Sequence, residues 1–278
     1  MEIIQTIAGS LEAVRRNKPL VHHITNYVTV NDCANIALAV GASPIMADEL
    51  EEMNDIVAIA SALVINIGTL NRRTIESMVA AGKRANERGI PVVLDPVGAG
   101  ASALRNTAVE QLLREVKMSV LRGNLSEIRF AAGLESLTKG VDASEADLAR
   151  SEETAQEVAE RAARKLGCIV ALTGATDFIT DGKRTLLIRN GVPQLSGVTG
   201  TGCMCSTLIG AFCGANQEGD LLLAAAAGVA AMGIAGELAA EAAEGKGSGS
   251  FHIAIIDAVS RMDSELLAGR AEIEAAAL

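Results

Sequence analysis

The sequence predicts an α/β protein with a mainly parallel central sheet flanked by helices, and three observations carry that prediction. Short, continuous apolar runs recur along most of the chain, too evenly apolar for strands with one wet face. Longer segments with helical spacing of apolar residues lie between them. Nearly every run ends in a polar or glycine-containing pair, the placement expected where strand ends build a ligand site.

The apolar runs are Ser43–Met46, Ala62–Ile67, Pro91–Leu94, Met118–Leu121 and Cys168–Leu172. Between them Leu50–Ala60, Arg72–Arg88, Ala103–Val116, Leu125–Ala132 and Glu153–Lys165 have helical periodicity. Strand and helix alternating in this way read as βαβ units. Further on, Asp177–Thr180 and Arg184–Ile188 flank Asp181-Gly182 and read as a β-hairpin. Three helices are expected after Cys203. Leu221–Gly236 is apolar, Ala- and Gly-rich, and too short to span a bilayer, so it reads as a buried helix. The acidic stretch Glu135–Glu157 reads as a loop leading into a solvated helix. Neither a Pro/Ser linker nor a charge block divides the chain, so residues 1–278 are expected to form a single domain.

Hydrophobic residues make up 49% of the chain but aromatics only 2%, so the core must be built from Ala, Val, Ile, Leu and Met. With 24 Lys and Arg against 34 Asp and Glu the net charge is −10. No basic patch is visible, which argues against a nucleic-acid partner, and no membrane partner is expected. Five cysteines, an odd count with neither disulfide-scaffold nor zinc-site spacing, fit a reducing compartment. Residues 1–17 are polar and amphipathic, unlike a signal peptide, and the cytoplasm is the expected location.

Val198-Thr-Gly200-Thr201-Gly202-Cys203 precedes an apolar helical segment. Glycines there let free N–H groups converge at a helix N-terminus, a pocket suited to an anion such as a transferring phosphoryl group. The plainer reading is a tight turn with close helix packing. No Walker A motif exists in the chain. Gly98-Ala-Gly100-Ala-Ser-Ala103 resembles a dinucleotide fingerprint, but it sits mid-chain and no acid ends the next strand.

Asp95 ends an apolar run, and Glu127 follows Asn124 by three residues. The two carboxylates and the amide suit a water-rich Mg²⁺ site shared with phosphate oxygens; equally, Asn124 and Glu127 spell a capping box. Arg122, at a strand end, can clamp a phosphate or make a surface ion pair. Thr173-Gly174 can bring a hydroxyl to a nucleotide or simply make a turn. His22 and His23 are adjacent on an extended segment, point to opposite sides, and do not easily share a metal. Asn26 can hydrogen-bond a substrate or cap the following helix. Cys203, at a helix N-terminus, is expected to have a lowered thiol pKa and is a candidate nucleophile.

Pro19-Leu-Val-His-His-Ile-Thr-Asn26, Ser43-Pro-Ile-Met46-Ala, Ile67-Gly68-Thr69-Leu70, Leu94-Asp95-Pro-Val-Gly-Ala-Gly100, Arg122-Gly-Asn124-x-x-Glu127, Leu172-Thr173-Gly174 and Val198-Thr-Gly200-Thr-Gly202-Cys203 occur in the order seen in the hydroxyethylthiazole kinase family. This ordered set resembles that family over nearly the whole chain. The resemblance implies a ribokinase-like fold and phosphorylation of a thiazole alcohol by ATP with Mg²⁺. It also implies a homotrimer with substrate pockets at subunit interfaces. It places Met46 and Gly200 on the thiazole, with Asn26, Gly68 and Thr69 nearby. Arg122, Thr173 and Asn124 would meet ATP, and Asp95 and Glu127 the metal. The Gly200–Cys203 loop would face the transferred phosphoryl. Related sugar kinases carry an Asp base where this chain has Cys203, which leaves the general base open. The alternatives are a Rossmann-type or cysteine-dependent enzyme, and a non-catalytic thiazole- or nucleotide-binding protein.

Overall fold

The computed structural model describes residues 2–134 and 154–276. The loop part of the acidic stretch after Leu134 lies outside the described residues; the helix it was expected to enter is present. In chain order the elements are α1 (Glu2–Asn17), β1 (Leu20–Ile24), α2 (Val30–Val40), β2 (Ser43–Met46), α3 (Met53–Ile59), β3 (Ala62–Asn66), α4 (Arg72–Arg88), β4 (Val92–Asp95) and α5 (Ala103–Glu115). There follow β5 (Val120–Gly123), α6 (Leu125–Ala131), α7 (Ala155–Leu166), β6 (Ile169–Leu172), β7 (Asp177–Thr180) and β8 (Thr185–Ile188). The chain ends with α8 (Thr201–Ala215), α9 (Leu221–Ala242), α10 (Ser248–Arg261), α11 (Ser264–Arg270) and β9 (Ile273–Ala275).

Among the described residues the strands form one nine-stranded sheet in the order β2-β1-β3-β4-β5-β6-β7-β8-β9. The pairs from β2 to β6 are parallel. β7, β8 and β9 extend the sheet antiparallel. The parallel part follows from the apolar runs, which are buried on both faces. The hairpin forms as expected, but its turn lies one residue later than Asp181-Gly182: Asp181 N–H donates to Arg184 O at 3.3 Å, which leaves Gly182, with φ +83°, and Lys183 as the turn residues. Several helices start where the sequence offers a cap. Asn71 with Thr74, Asn124 with Glu127, and Thr154 with Glu157 form reciprocal capping boxes.

Side-chain alternation sends successive strand residues to opposite cores. Val64, Val93, Val120 and Ala171 pack under α1, α2, α8 and α9. Leu63, Ile65, Leu94, Leu121 and Val170 pack under helices from the other layer, among them α4, α5 and α7. With few aromatics, helices must approach closely to fill space. A Cβ at Gly228 of α9 would lie 2.7 Å from Ile209 N of α8, and one at Gly210 would lie 2.5 Å from Val64 Cγ2 of β3.

Two expectations change at the C-terminal end. Four helices follow the glycine loop instead of three, and β9 adds a short edge strand. The helix beginning at Leu221 also runs on to Ala242. At 22 residues it is long and apolar enough to cross a bilayer, contrary to the shorter segment read from sequence. The buried reading holds, because 78% of its apolar window is packed inside the protein.

Candidate active site

The strand alternation that builds the cores also assembles the site. Asn66, Asp95, Arg122 and Thr173 stand two positions beyond Val64, Val93, Val120 and Ala171, so all four side chains leave the sheet toward α8. Register brings them into line: Asn66 pairs with Asp95, and Arg122 with Ala171. The N-terminus of α8 lies over these strand ends.

The contacts form one connected polar network. Asn66 Nδ2 donates to Asp95 Oδ2 at 3.1 Å and to Cys203 Sγ at 3.3 Å. Asn26 Nδ2 donates to Asn66 Oδ1 at 3.0 Å and to Cys203 Sγ at 3.3 Å. Ser206 Oγ, one turn into α8, donates to Asp95 Oδ2 at 2.7 Å. Arg122 Nη1 lies 3.6 Å from Asp95 Oδ2, and Arg122 Nη2 donates to Thr173 Oγ1 at 2.8 Å. Asp95 is fully buried, and its Oδ1 has no hydrogen-bond partner. A buried anionic oxygen left open in this way fits a divalent cation or an ordered water.

Burial pushes the Asp95 carboxyl up to about 6, against the opposing pull of Arg122, Ser206 and Asn66. Burial also raises the Cys203 thiol, and the negative charge of Asp95 raises it further. The lowered thiol pKa expected from a helix N-terminus is therefore overturned, since desolvation and a nearby carboxylate outweigh the helix dipole. Cys203 stands as a neutral thiol accepting two amide N–H groups, a poor nucleophile and a poor base. Cys205 and Cys213 are buried core thiols pushed up to about 12.

Two cavities open along the C-terminal edge of the parallel strands. The smaller, 330 Å³, is walled by Asn26, Gly68, Asp95, Glu127, Gly200 and Cys203, among others. The larger, 570 Å³, is walled by Thr173, Gly174, Asp177, Asn190, Thr201 and Val229, among others. Arg122, Asn124 and Gly202 belong to both. Two adjoining cavities with an arginine and a helix N-terminus at the join can hold two ligands with an anionic group passing between them.

Gly200 caps α8 in the left-handed region, with φ +91°, where an L side chain is strained. No side chain caps the helix, so its first N–H groups stay available at the join. A Cβ at Gly202 would lie 2.6 Å from Arg122 Nη1. The tight-turn reading describes this loop, and the uncapped helix start is the feature an anion pocket would use.

Of the expected residues, Asn26, Gly68, Gly200, Asp95, Glu127, Asn124, Arg122, Thr173, Thr201, Gly202 and Cys203 wall one cavity or both. Met46 and Thr69 wall neither: Met46 ends the edge strand β2, and Thr69 Oγ1 accepts from Tyr27 N–H at 3.3 Å. Asn26 does not cap α2. Its Oδ1 accepts from Thr29 N–H and Thr29 Oγ1–H, each at 3.1 Å. Both oxygens of Glu127 are held by backbone, Oε1 by Gly98 N–H and Oε2 by Asn124 N–H, each at 2.9 Å. The capping-box reading of Asn124 and Glu127 is therefore correct as structure, and any further ligand of Glu127 must share those oxygens.

The dinucleotide-like glycines are used internally. Gly98 N–H goes to Glu127, and Gly100 N–H to Asn106 Oδ1 at 2.8 Å. This leaves those two amides no pyrophosphate to bind, against the Rossmann alternative. His22 and His23 do diverge, toward Ala47 O and Val21 O, and burial pushes His23 down to about 4.

Asn66, Ser206 and Asp177 escaped the sequence reading. Asn66 is hidden inside an apolar run, and Ser206 inside an apolar helix. Asp177 opens β7, accepts from Gly174 N–H at 2.8 Å, and is pushed up to about 6 by burial. Its one legible signal is its place three residues after Gly174 at the start of the hairpin.

The profile of the Hydroxyethylthiazole kinase family matches residues 11–265. A hydroxyethylthiazole kinase of Ruminiclostridium cellulolyticum is 60% identical over 272 residues, 98% of this chain and 98% of that protein. One from Methanocella arvoryzae is 48% identical over 264 residues, covering 95% of this chain and 96% of that protein. The solved structure of a Pyrococcus horikoshii hydroxyethylthiazole kinase superposes with a TM-score of 0.87 at 39% identity, covering 98% of this chain and 99% of that one. A Staphylococcus aureus pyridoxal kinase shares the fold with a TM-score of 0.59 at 16% identity, covering 93% of this chain and 98% of that one. With the profile spanning most of its length and relatives matching from end to end, the chain belongs to the hydroxyethylthiazole kinase family.

Proposed function

We propose that this protein transfers the γ-phosphoryl group of ATP to the hydroxyl of hydroxyethylthiazole, the chain acting as one ribokinase-like unit. The observation that carries the reading is the pair of cavities joined at Arg122, Asn124 and Gly202. The larger takes the nucleotide, with its phosphates toward Arg122 and Thr173. The smaller takes the alcohol among Asn26, Gly68 and Gly200. The first N–H groups of α8 and the Arg122 guanidinium receive charge on the phosphoryl oxygens as it passes. Donors fixed in advance at that point lower the barrier without reorganising.

The buried, unpartnered Asp95 Oδ1 fits Mg²⁺, with Glu127 and Asn124 beside it to hold coordinated water. Bound there, the ion would neutralise charge between the phosphates. Cys203 is assigned to packing against the alcohol cavity. A loose phosphoryl-transfer transition state asks for positioning more than for deprotonation, so a neutral thiol is tolerable.

With Mg-ATP, the purified protein is expected to turn over hydroxyethylthiazole with higher kcat/KM than pyridoxal, hydroxymethylpyrimidine or ribose. An ADP-release assay across the four alcohols checks this; equal or greater turnover of any rival would remove the substrate assignment and leave the kinase class.

The cytoplasm is the proposed location, and a homotrimer the proposed assembly, with a neighbouring subunit closing the alcohol cavity. Val28 walls that cavity yet is exposed, as is Tyr27 beside it, while Met46 stands outside the cavity of the single chain. Sedimentation at assay concentration is expected to give a trimer. A fully active monomer would contradict the shared site.

A further inference from the structure

Arg105 stands in the first turn of α5 and walls neither cavity. Its guanidinium nevertheless reaches both exit loops beside the smaller cavity. Nη1 donates to Ile67 O at 2.8 Å and to Val97 O at 2.5 Å, and Nη2 donates to Gly68 O at 2.7 Å. Ile67 and Gly68 follow β3, and Val97 follows β4, so one rigid fork ties the loops of two adjacent strands. Gly68 and Val97 are themselves wall residues of the smaller cavity.

Two of the three peptide planes are gripped at both ends. The 67–68 peptide offers its carbonyl to Arg105 and its N–H to Asn66 Oδ1 at 2.8 Å. The 97–98 peptide offers its carbonyl to Arg105 and its N–H to Glu127 Oε1 at 2.9 Å. A trans peptide points these groups in opposite directions, so neither plane can rotate without breaking a bond at each end. Asn66 leads on to Asp95 and Cys203, and Glu127 lies on the proposed phosphate side. Arg105 therefore spans the gap between the acceptor side and the phosphate side. Lysine cannot replace it, because a point-charge ammonium does not reproduce three fixed donor directions.

We propose that Arg105 is a positioning residue for phosphoryl transfer: its guanidinium sets the spacing between the Gly68 loop and the loop after Asp95. This fixes the line along which the alcohol meets the phosphoryl group. The proposal rests on the kinase reading given above.

The test compares Arg105→Ala and Arg105→Lys with wild type in Mg-ATP and hydroxyethylthiazole, with binding of a non-hydrolysable ATP analogue measured separately. Misplacement of reacting groups by about 1 Å costs on the order of 10²-fold, so Arg105→Ala is expected to lose about that much in kcat/KM for the alcohol. Affinity for the ATP analogue should stay at the wild-type value, and millimolar guanidinium chloride should restore part of the lost rate. Arg105→Lys should also be impaired, without recovery; it carries the test alone if the alanine variant does not fold. Wild-type kcat/KM in a folded variant would overturn the proposal. So would an equal loss of ATP-analogue affinity with no guanidinium rescue, the mark of a general structural role. A wild-type protein with no alcohol-dependent turnover would instead overturn the kinase reading, and the clamp with it.

Discussion

Gly202→Val is expected to fold with a lower Tm and to lose about 10²–10³ in kcat, the usual cost of removing an oxyanion-type donor. The Cβ would come within 2.6 Å of Arg122 Nη1 and 3.2 Å of Nη2. Those atoms are the far end of a flexible side chain, which can swing aside without moving the backbone. Swinging aside takes the guanidinium from Thr173 and Asp95, however, and so from the join between the cavities. Gly200→Val should lose activity as well, with a lower Tm, because φ +91° and Thr29 Cγ2 at 2.9 Å oppose a side chain there. Cys203→Ala should lose less than the roughly 10²-fold that marks the low end for a general base, since burial and the Asp95 charge keep its thiol neutral. Steady-state kinetics and thermal melts on the three variants check this ordering. A dead Cys203→Ala beside a normally active Gly202→Val would make the thiol the chemical centre.

Asp95→Asn is expected to lose about 10²–10³ in kcat while becoming harder to unfold at neutral pH. The activity loss follows from removing the charge proposed to hold the metal, an electrostatic contribution of that size. The stability gain follows from linkage. The folded carboxyl titrates at about 6, above its ordinary 3.8. The folded state therefore binds the proton more tightly than the unfolded chain. Its contribution to stability is complete below the ordinary value and is lost as pH rises through about 6. Asparagine is never charged and escapes that loss. In metal-free protein the Tm advantage of Asp95→Asn should be largest at neutral to alkaline pH and should shrink on acidification. An equal Tm difference at every pH would mean that burial does not disfavour the Asp95 charge.

What the sequence made legible is what depends on local pattern. Ala62–Ile67, Pro91–Leu94 and Cys168–Leu172 are buried on both faces, and their unbroken apolar character marks β3, β4 and β6. The polar residues at the ends of these runs and of Met118–Leu121 stand out for the same reason, so Asp95, Arg122 and Thr173 are legible from sequence. β9 is not legible, because three residues, two of them exposed, carry no period.

The rest of the site depends on partners distant in sequence. Asn66 resembles a polar interruption in a strand until Asp95 and Cys203 are found beside it. Arg105 resembles a surface cation in a helix until three carbonyls from two loops are found around it. The thiol of Cys203 shows the limit from the other side. Its helix-terminal position was legible, but the burial and the neighbouring carboxylate that reverse its titration were not.

The proposed reaction is direct transfer between two ligands that occupy adjoining cavities together. Initial rates over a grid of Mg-ATP and hydroxyethylthiazole concentrations, with ADP and the thiazole phosphate both quantified, test it most directly. Direct transfer gives intersecting double-reciprocal lines, one thiazole phosphate formed per ADP, and no ADP beyond the blank when the alcohol is omitted. Parallel lines, or ADP released without the alcohol, would contradict it.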